Sequence, residues 1–204
     1  MFYDILDQKR IEILPLFKFF KEKFYLAGGT GLALQLGHRD SVDFDFFTED
    51  HFDTFKLYRE ILEIFSSKKI LKTLEEKDSL NIIIDDGIKF SILRCPYPLV
   101  RPAIDEEYLK IASIEDIGCM KLSAITSRSI EKDYVDLYFI LKKISLKELL
   151  SQAQSKMPDL NQNLILKSLV YFDDITSEKI IFKNNSAVQF SNVKTFLKEQ
   201  VVSL

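Results

Sequence analysis

The chain has 204 residues, 47% hydrophobic and 29% charged; this excludes an intrinsically disordered polymer and supplies enough apolar material for a folded core. A net charge of -3 excludes binding to nucleic acid through the overall field, so any such contact needs a local basic patch. Two cysteines, Cys95 and Cys119, are too few for a disulfide scaffold or a zinc cluster and read as buried thiols of a reducing compartment.

Acidic residues Asp4, Asp7 and Glu12 break up the first twelve positions, which argues against a signal peptide. No apolar run reaches the length of a membrane span, so the expected location is the cytoplasm, with no membrane partner. Ile11, Leu14, Phe17 and Phe20 at helical spacing predict a helix over about residues 6–22. Phe24-Tyr25-Leu26-Ala27, stopped by two glycines, reads as a buried strand. Residues 30–36 read as a short helix with Gly37 as its C-cap. The alternation over residues 42–47 predicts a strand, and residues 51–65 a helix with Phe55, Tyr58, Leu62 and Phe65 on its apolar side. Residues 80–84 and 88–93 read as strands joined by a hairpin at Asp85-Asp86-Gly87. Pro96, Pro98 and Pro102 then mark the expected domain boundary. Beyond it the pattern is helical: 117–125, with Ser113 and Asp116 as its capping signature, then 130–142, 146–153, 160–171 and 192–202. The expected fold class is α+β. A small mixed sheet with helices occupies residues 1–100, and a helical bundle residues 101–204.

The stretch richest in chemistry is GGTGLALQLGHRDSVDFDFF, residues 28–47. On a strand, Asp43 and Asp45 project to one face while Phe44 and Phe46 face the core. Two carboxylates this close repel unless a cation sits between them, and oxygen-only ligands favour Mg²⁺ or Mn²⁺. An edge strand with solvated acids gives the same alternation, so the pair alone decides nothing. Gly28, Gly29 and Thr30 precede it, following a strand and opening a helix. Glycines let backbone N–H groups approach an anion, the helix N-terminus adds positive charge, and Thr30 offers a hydroxyl donor. A phosphate cradle followed by a metal-binding acid pair is phosphoryl-transfer machinery. Between them, Arg39 is balanced between a phosphate contact and a salt bridge; His38 reads as a loop-ordering hydrogen-bonder.

In the second half, Lys121 and Arg128 are seven residues apart and share a helical face. Lys132 and Asp136 stand at i and i+4, spaced to pair. Asp136 is embedded in the apolar run Tyr134-Val135-Asp136-Leu137-Tyr138-Phe139, where an acid is costly unless a cation meets it.

These residues resemble the polymerase-β-type nucleotidyltransferase superfamily. The pattern of residues 28–47, with IASIEDIGCMKLSAITSRSIEKDYVDLYFIL and LVYFDDI further on, is similar to the AbiEii/AbiGii toxin family, which includes the MenT toxins. The resemblance implies an enzyme of bacterial toxin–antitoxin or phage-resistance systems that moves NMP from an NTP to an acceptor, with tRNA or another RNA as the acceptor of some relatives. It implies a separately encoded antitoxin. It places Gly29 and Thr30 in the nucleotide-binding turn, Asp43 and Asp45 as metal ligands, Lys121 on the triphosphate, and Asp136 as the late acidic residue. Ser91 stands where many members of the superfamily carry a third carboxylate, and its strand register predicts that it faces the acids while Phe90 and Ile92 enter the core. Two other readings stay open: transfer to a small molecule or a protein hydroxyl, and a nucleotide-binding partner module without catalysis.

Overall fold

The computed structural model describes residues 1–85 and 87–204. One face of its sheet is assembled around Phe17, whose ring lies 4.7 Å from Phe44, 5.1 Å from Phe46 and 5.2 Å from Phe90. These four rings are essentially inaccessible to water, and burying each contributes roughly 1.5–3 kcal/mol. Phe17 reaches this position from a broken helix rather than the continuous one expected over residues 6–22. Helix α1 (Gln8–Ile13) gives way to a 3-10 helix, Leu14–Phe19. The sequence reason is Pro15, which has no N–H to donate back along an α-helix.

Strands β1 (Tyr25–Leu26), β2 (Phe44–Thr48), β3 (Ile70–Glu76), β4 (Ser79–Ile84), β5 (Ile88–Arg94), β6 (Ile104–Asp105) and β7 (Lys110–Ile111) form one mixed sheet in the order β3-β4-β5-β2-β1-β7-β6. β1 runs antiparallel to β2, and β2 runs parallel to β5. The hairpin expected at residues 85–87 is supported by its flanks, since Ile84 pairs with Ile88; Asp86 itself lies outside the described residues. β3 escapes the sequence pattern because it is an edge strand with nearly every residue exposed, and so has no alternation to read.

Helix α3 (Thr54–Ile64) starts at Asp53, whose carboxylate accepts from the Lys56 N–H at 2.9 Å. Its buried side is Leu57 and Ile61, continued by Phe65, whereas Phe55 and Leu62, expected on that side, are exposed. The apolar residues on both sides of this helix allow either assignment, and packing against the Phe17 cluster decides it.

The sheet continues past the boundary expected at residue 100. β7 adds in parallel to β1 by the Leu26–Ile111 pairing, and β6 closes that edge. Two-residue strands carry no readable period, which is why they were invisible in the pattern. The helical part begins at α4 (Ile114–Ser127) and continues through α5 (Glu131–Leu141), α6 (Leu146–Lys156), α7 (Gln162–Val170) and α8 (Phe190–Val202). The capping signature before α4 forms as the sequence implies: the Ser113 hydroxyl accepts from the Asp116 N–H at 3.0 Å. Asp116, wholly buried, also accepts from the N–H groups of Val100 and Arg101 and from Lys156 Nζ at 2.9 Å. The proline-rich connection is thereby pinned to the helices. Helices α4 to α8, with α2 (Gly28–Leu36), build a second core against Tyr25 and Ala27. The sheet is thus packed on its Phe face by the N-terminal helices and over β1 by the bundle. Beside β2, a cleft remains on the second face.

Candidate active site

Asp45 is the second residue of β2, with Phe44 and Phe46 on either side turned into the opposite core. The strand alternation expected for the acid pair is present, with Asp43 one residue ahead of the strand. β2 and β5 are in register at Asp45 and Ser91, and Phe90 and Ile92 are buried. Ser91 therefore shares the face of Asp45, as its strand position predicts. Burial raises the Asp45 carboxyl above its ordinary range, and the neighbouring Asp43 charge pushes it further. Hydrogen bonding by Ser91 and the charges of Lys121 and Arg128 oppose that rise. A half-buried carboxylate with a like charge beside it suits a divalent cation, and the donors are the hard oxygens such an ion prefers.

The glycine turn lies directly over this carboxylate. Gly28 has φ +60°, and a Cβ there would stand 2.8 Å from Asp45 Oδ2. α2 begins at this residue, two positions before the expected start. Its first N–H groups have no side-chain cap, which leaves them for a ligand at the cleft. A Cβ on Gly29 would come 2.6 Å from Arg39 Nη2, so the guanidinium packs under the turn. Gly28→Ala is expected to cost more than ~1 kcal/mol from the left-handed backbone alone and to displace Asp45. A thermal melt with an activity assay checks this, and an unaffected variant would disconnect the turn from Asp45.

Thr30 occupies a different place from the phosphate-donor position expected for its hydroxyl. It is buried, its hydroxyl donates to the Asp43 carbonyl, and it shares a 2.8 Å hydrogen bond with Ser41 Oγ. Its job is to fix the backbone that presents Asp43. Other contacts hold the same loop: Arg10 Nε donates to the Val42 carbonyl at 2.6 Å, Asp40 N–H to Ile181 at 2.8 Å, and Asn184 to Gly37 at 2.9 Å. None of these long-range ties has a local sequence signature.

Arg39 resolves to the salt-bridge alternative. It makes a two-point contact with Asp136, Nε to Oδ1 at 2.8 Å and Nη2 to Oδ2 at 2.7 Å. His38 Nε2 lies 2.8 Å from the same carboxylate, the hydrogen-bonding role expected of it. Lys121 Nζ stands 2.6 Å from Asp136 and 2.6 Å from Asp133. Arg128, half-exposed, completes the row on Asp133 at 2.9 Å. The i to i+4 pairing expected between Lys132 and Asp136 does not form. Asp136 turns inward, and Lys132 pairs with Glu178 at 2.8 Å instead. Burial alone would raise the Asp136 carboxyl, but Arg39 and Lys121 overcome it and hold the group well below the usual carboxylate range.

Gly28, Gly29, Asp45, Lys121 and Arg128 line one cleft of about 450 Å³, whose apolar wall includes Phe47 and Tyr97. The structure thus gathers Gly28, Gly29, Asp45 and Lys121 of the expected residues; Asp43 is not among the cleft's lining, and Thr30, Arg39 and Asp136 lie behind the surface and hold it in shape. Asp133 and Arg128 are the residues that sequence reasoning left without a role; the i, i+3 spacing of Asp133 and Asp136 on one helix was the available clue.

A glycine turn opening a helix above a strand-borne acid, with a second acid just ahead of the strand and cations across the cleft, fits a nucleotidyltransferase. The chain belongs to the AbiEii family: the model described as nucleotidyl transferase AbiEii toxin, type IV toxin–antitoxin system, matches residues 16–192. An uncharacterised protein of Aquifex aeolicus is 42% identical over 161 residues, covering 76% of each chain. Among solved structures, the fold is similar to the MenT4 nucleotidyltransferase toxin of Mycobacterium tuberculosis, with a TM-score of 0.63 and 16% identity over 96% of this chain and 82% of the other. It is also similar to JHP933 of Helicobacter pylori, with a TM-score of 0.57 and 20% identity over 96% and 89%. Among the described residues no helix is long and apolar enough to cross a membrane.

Proposed function

We propose that this nucleotidyltransferase moves a nucleoside monophosphate from an NTP to an acceptor hydroxyl in the cleft beside β2, with Mg²⁺ or Mn²⁺ held by Asp43 and Asp45. The observation that carries the reading is Asp45 beneath the Gly28 turn, with Oδ2 2.8 Å from where a Cβ would stand. Asp45 under the glycine turn supports a phosphate and a cation meeting there. In the reaction the acceptor oxygen bonds to the α-phosphorus, the bond from that phosphorus to the bridging oxygen breaks, pyrophosphate leaves, and the proton of the acceptor hydroxyl passes to solvent water. A metal bound there supplies neutralisation of triphosphate oxygens and a lowered acceptor pKa.

The chain's own groups do the rest. The Gly28–Gly29 backbone holds phosphate at the start of α2. An ammonium has three N–H donors; Lys121 gives one to Asp133, stands against Asp136 as an ion pair, and lines the cleft where it can meet the leaving pyrophosphate. Arg128 adds a second cation at the cleft wall. The acceptor we favour is RNA, and the partner a separately encoded antitoxin, in keeping with the toxin–antitoxin description of the family.

The test is incubation of the purified chain with each labelled NTP, Mg²⁺ and total RNA. Label entering RNA together with pyrophosphate release is expected. No pyrophosphate release with any NTP and either metal would overturn the reading; release with label elsewhere would move the acceptor.

Ser91 offers a separate check. Ser91→Asp puts a third carboxylate in register with Asp45. In chelator it should melt lower than the native chain, by like-charge repulsion, and Mg²⁺ should raise its Tm more. An equal response to Mg²⁺ in both would place the metal away from Asp45.

A further inference from the structure

We infer that Asn81 is a positioning residue of the active site: its amide oxygen competes with Asp45 for the single proton of Ser91, and so leaves the Asp45 carboxylate free for a divalent cation. This rests on the metal site proposed above. Asn81 interrupts the apolar run of residues 80–84, and asparagine is a residue that strands disfavour. Burial alternates along β4, with Leu80, Ile82 and Ile84 in the core around Phe17. Asn81 is thereby turned to the second face of the sheet, the face of the acids. It stands directly across from Ser91, and Ser91 directly across from Asp45. The three side chains thus form one row over β4, β5 and β2. Beside the register shift in β3, Thr73 Oγ1 donates to the Asn81 carbonyl at 3.1 Å and braces the backbone that carries the amide.

The amide oxygen Asn81 Oδ1 is shut off from water and has no hydrogen-bond partner among the described residues. A buried acceptor left in this way is costly, and rare enough to need a reason. Two side chains lie directly across from it. Leu74 on β3 has no donor, and Ser91 on β5 has one. A serine hydroxyl carries a single proton but has two acceptors here, the Asp45 carboxylate on one side and the Asn81 amide on the other. Hydrogen bonding by Ser91 supports the Asp45 charge. A divalent cation on Asp45 supplies that support with two full charges, and competes with the hydroxyl for the same oxygens. Turning about its Cα–Cβ bond, Ser91 then gives its proton to Asn81 Oδ1 and satisfies the orphaned acceptor. The free energy gained at Asn81 adds to the affinity for the cation. A third carboxylate in place of Ser91 has no proton to hand over at neutral pH, so this device belongs to the serine.

The test measures Mn²⁺ binding without turnover, by the loss of the free-ion electron paramagnetic resonance signal. The chains compared are native, Asn81→Leu, Ser91→Ala, the double variant and Asp45→Asn. Leucine keeps the size of asparagine and removes its acceptor. Asn81→Leu is expected to bind Mn²⁺ about two- to ten-fold more weakly than the native chain, the worth of one hydrogen bond. In the Ser91→Ala background the same change should make no difference, because the proton for which Asn81 competes is gone. In chelator, Asn81→Leu should melt at or above the native temperature, since an unpaired buried acceptor has been removed. Native Mn²⁺ affinity in Asn81→Leu would overturn the inference. So would equal weakening with and without the Ser91 hydroxyl, or a lower melting temperature in chelator. With Mn²⁺ binding present in the native chain and lost in Asp45→Asn, each of these results leaves the metal site standing. A native chain that binds no Mn²⁺, or an Asp45→Asn variant that binds it as the native chain does, would remove the metal site and the inference together.

Discussion

Asp45→Asn is expected to lose nucleotide transfer by at least ~10²–10³-fold while melting at the native temperature or above it. The two halves of this expectation have one cause. Asp45 is a half-buried carboxylate beside Asp43, and both its partial burial and that neighbour work against its charge. The folded chain therefore carries the ionised group at a disadvantage, and an amide of the same shape relieves it. What is lost is the negative oxygen that a divalent cation and the triphosphate require under the Gly28 turn. Pyrophosphate release measured beside a thermal melt separates the effects. In bacteria, production of the native chain without an antitoxin is expected to slow growth, and production of the variant is not. Full transfer activity in Asp45→Asn would remove the metal assignment, and equal toxicity of the two proteins would point to binding rather than catalysis.

The residues that were legible in advance are those whose role is set by a local period or a local backbone need. The Phe44–Asp45–Phe46 alternation gives the face of the acids, and Ser91 follows from the same rule on a neighbouring strand. Gly28 and Gly29 announce a turn whose reason becomes visible only with Asp45 and Arg39 beneath it. The C-terminal helices are readable for the same cause, a 3.6-residue pattern, with side-chain caps opening α4, α6 and α7 but not α5 or α8; α5, α6 and α8 fall within two residues of their expected limits at most ends. What sequence could not show is the partner of a buried group. Arg39 had two plausible anions, and Asp136, from 97 residues away, takes it. Thr30 looked like a donor to a ligand because its neighbours are glycines, yet the Asp43 carbonyl is nearer. The edge strands β3 and β6, and β7 beside β6, have too few buried positions or too few residues to carry a pattern, and so the sheet extends beyond its expected end.

Asp136→Ala is expected to be the most damaging single change to the fold. Its side chain is wholly buried and meets Arg39, Lys121 and His38. Arg39 is itself buried, and Lys121 nearly so. Removing one partner of a buried ion pair typically costs ~3–5 kcal/mol because the other charge stays behind uncompensated. For a chain of this size, ~2–4 °C of melting temperature per kcal/mol makes the fall roughly 6–20 °C. Lys121→Met should cost less, because Asp136 keeps Arg39 and Asp133 keeps Arg128. That ordering revises the role read for Lys121 from sequence: its loss should lower stability as well as NTP use. Acid provides the second signature. The folded pKa of Asp136 lies well below its ordinary value of 3.8, so its contribution is fully present above the unfolded pKa, ~3.9. It is lost as pH falls from there through the folded value. The native chain should therefore lose stability more steeply below about pH 4 than Asp136→Asn, which has no such proton to take up. Denaturant titrations of both chains across that range measure the difference in slope. Parallel curves would mean that Asp136 is not charged in the folded chain, and the cations under the glycine turn would then need another counter-ion.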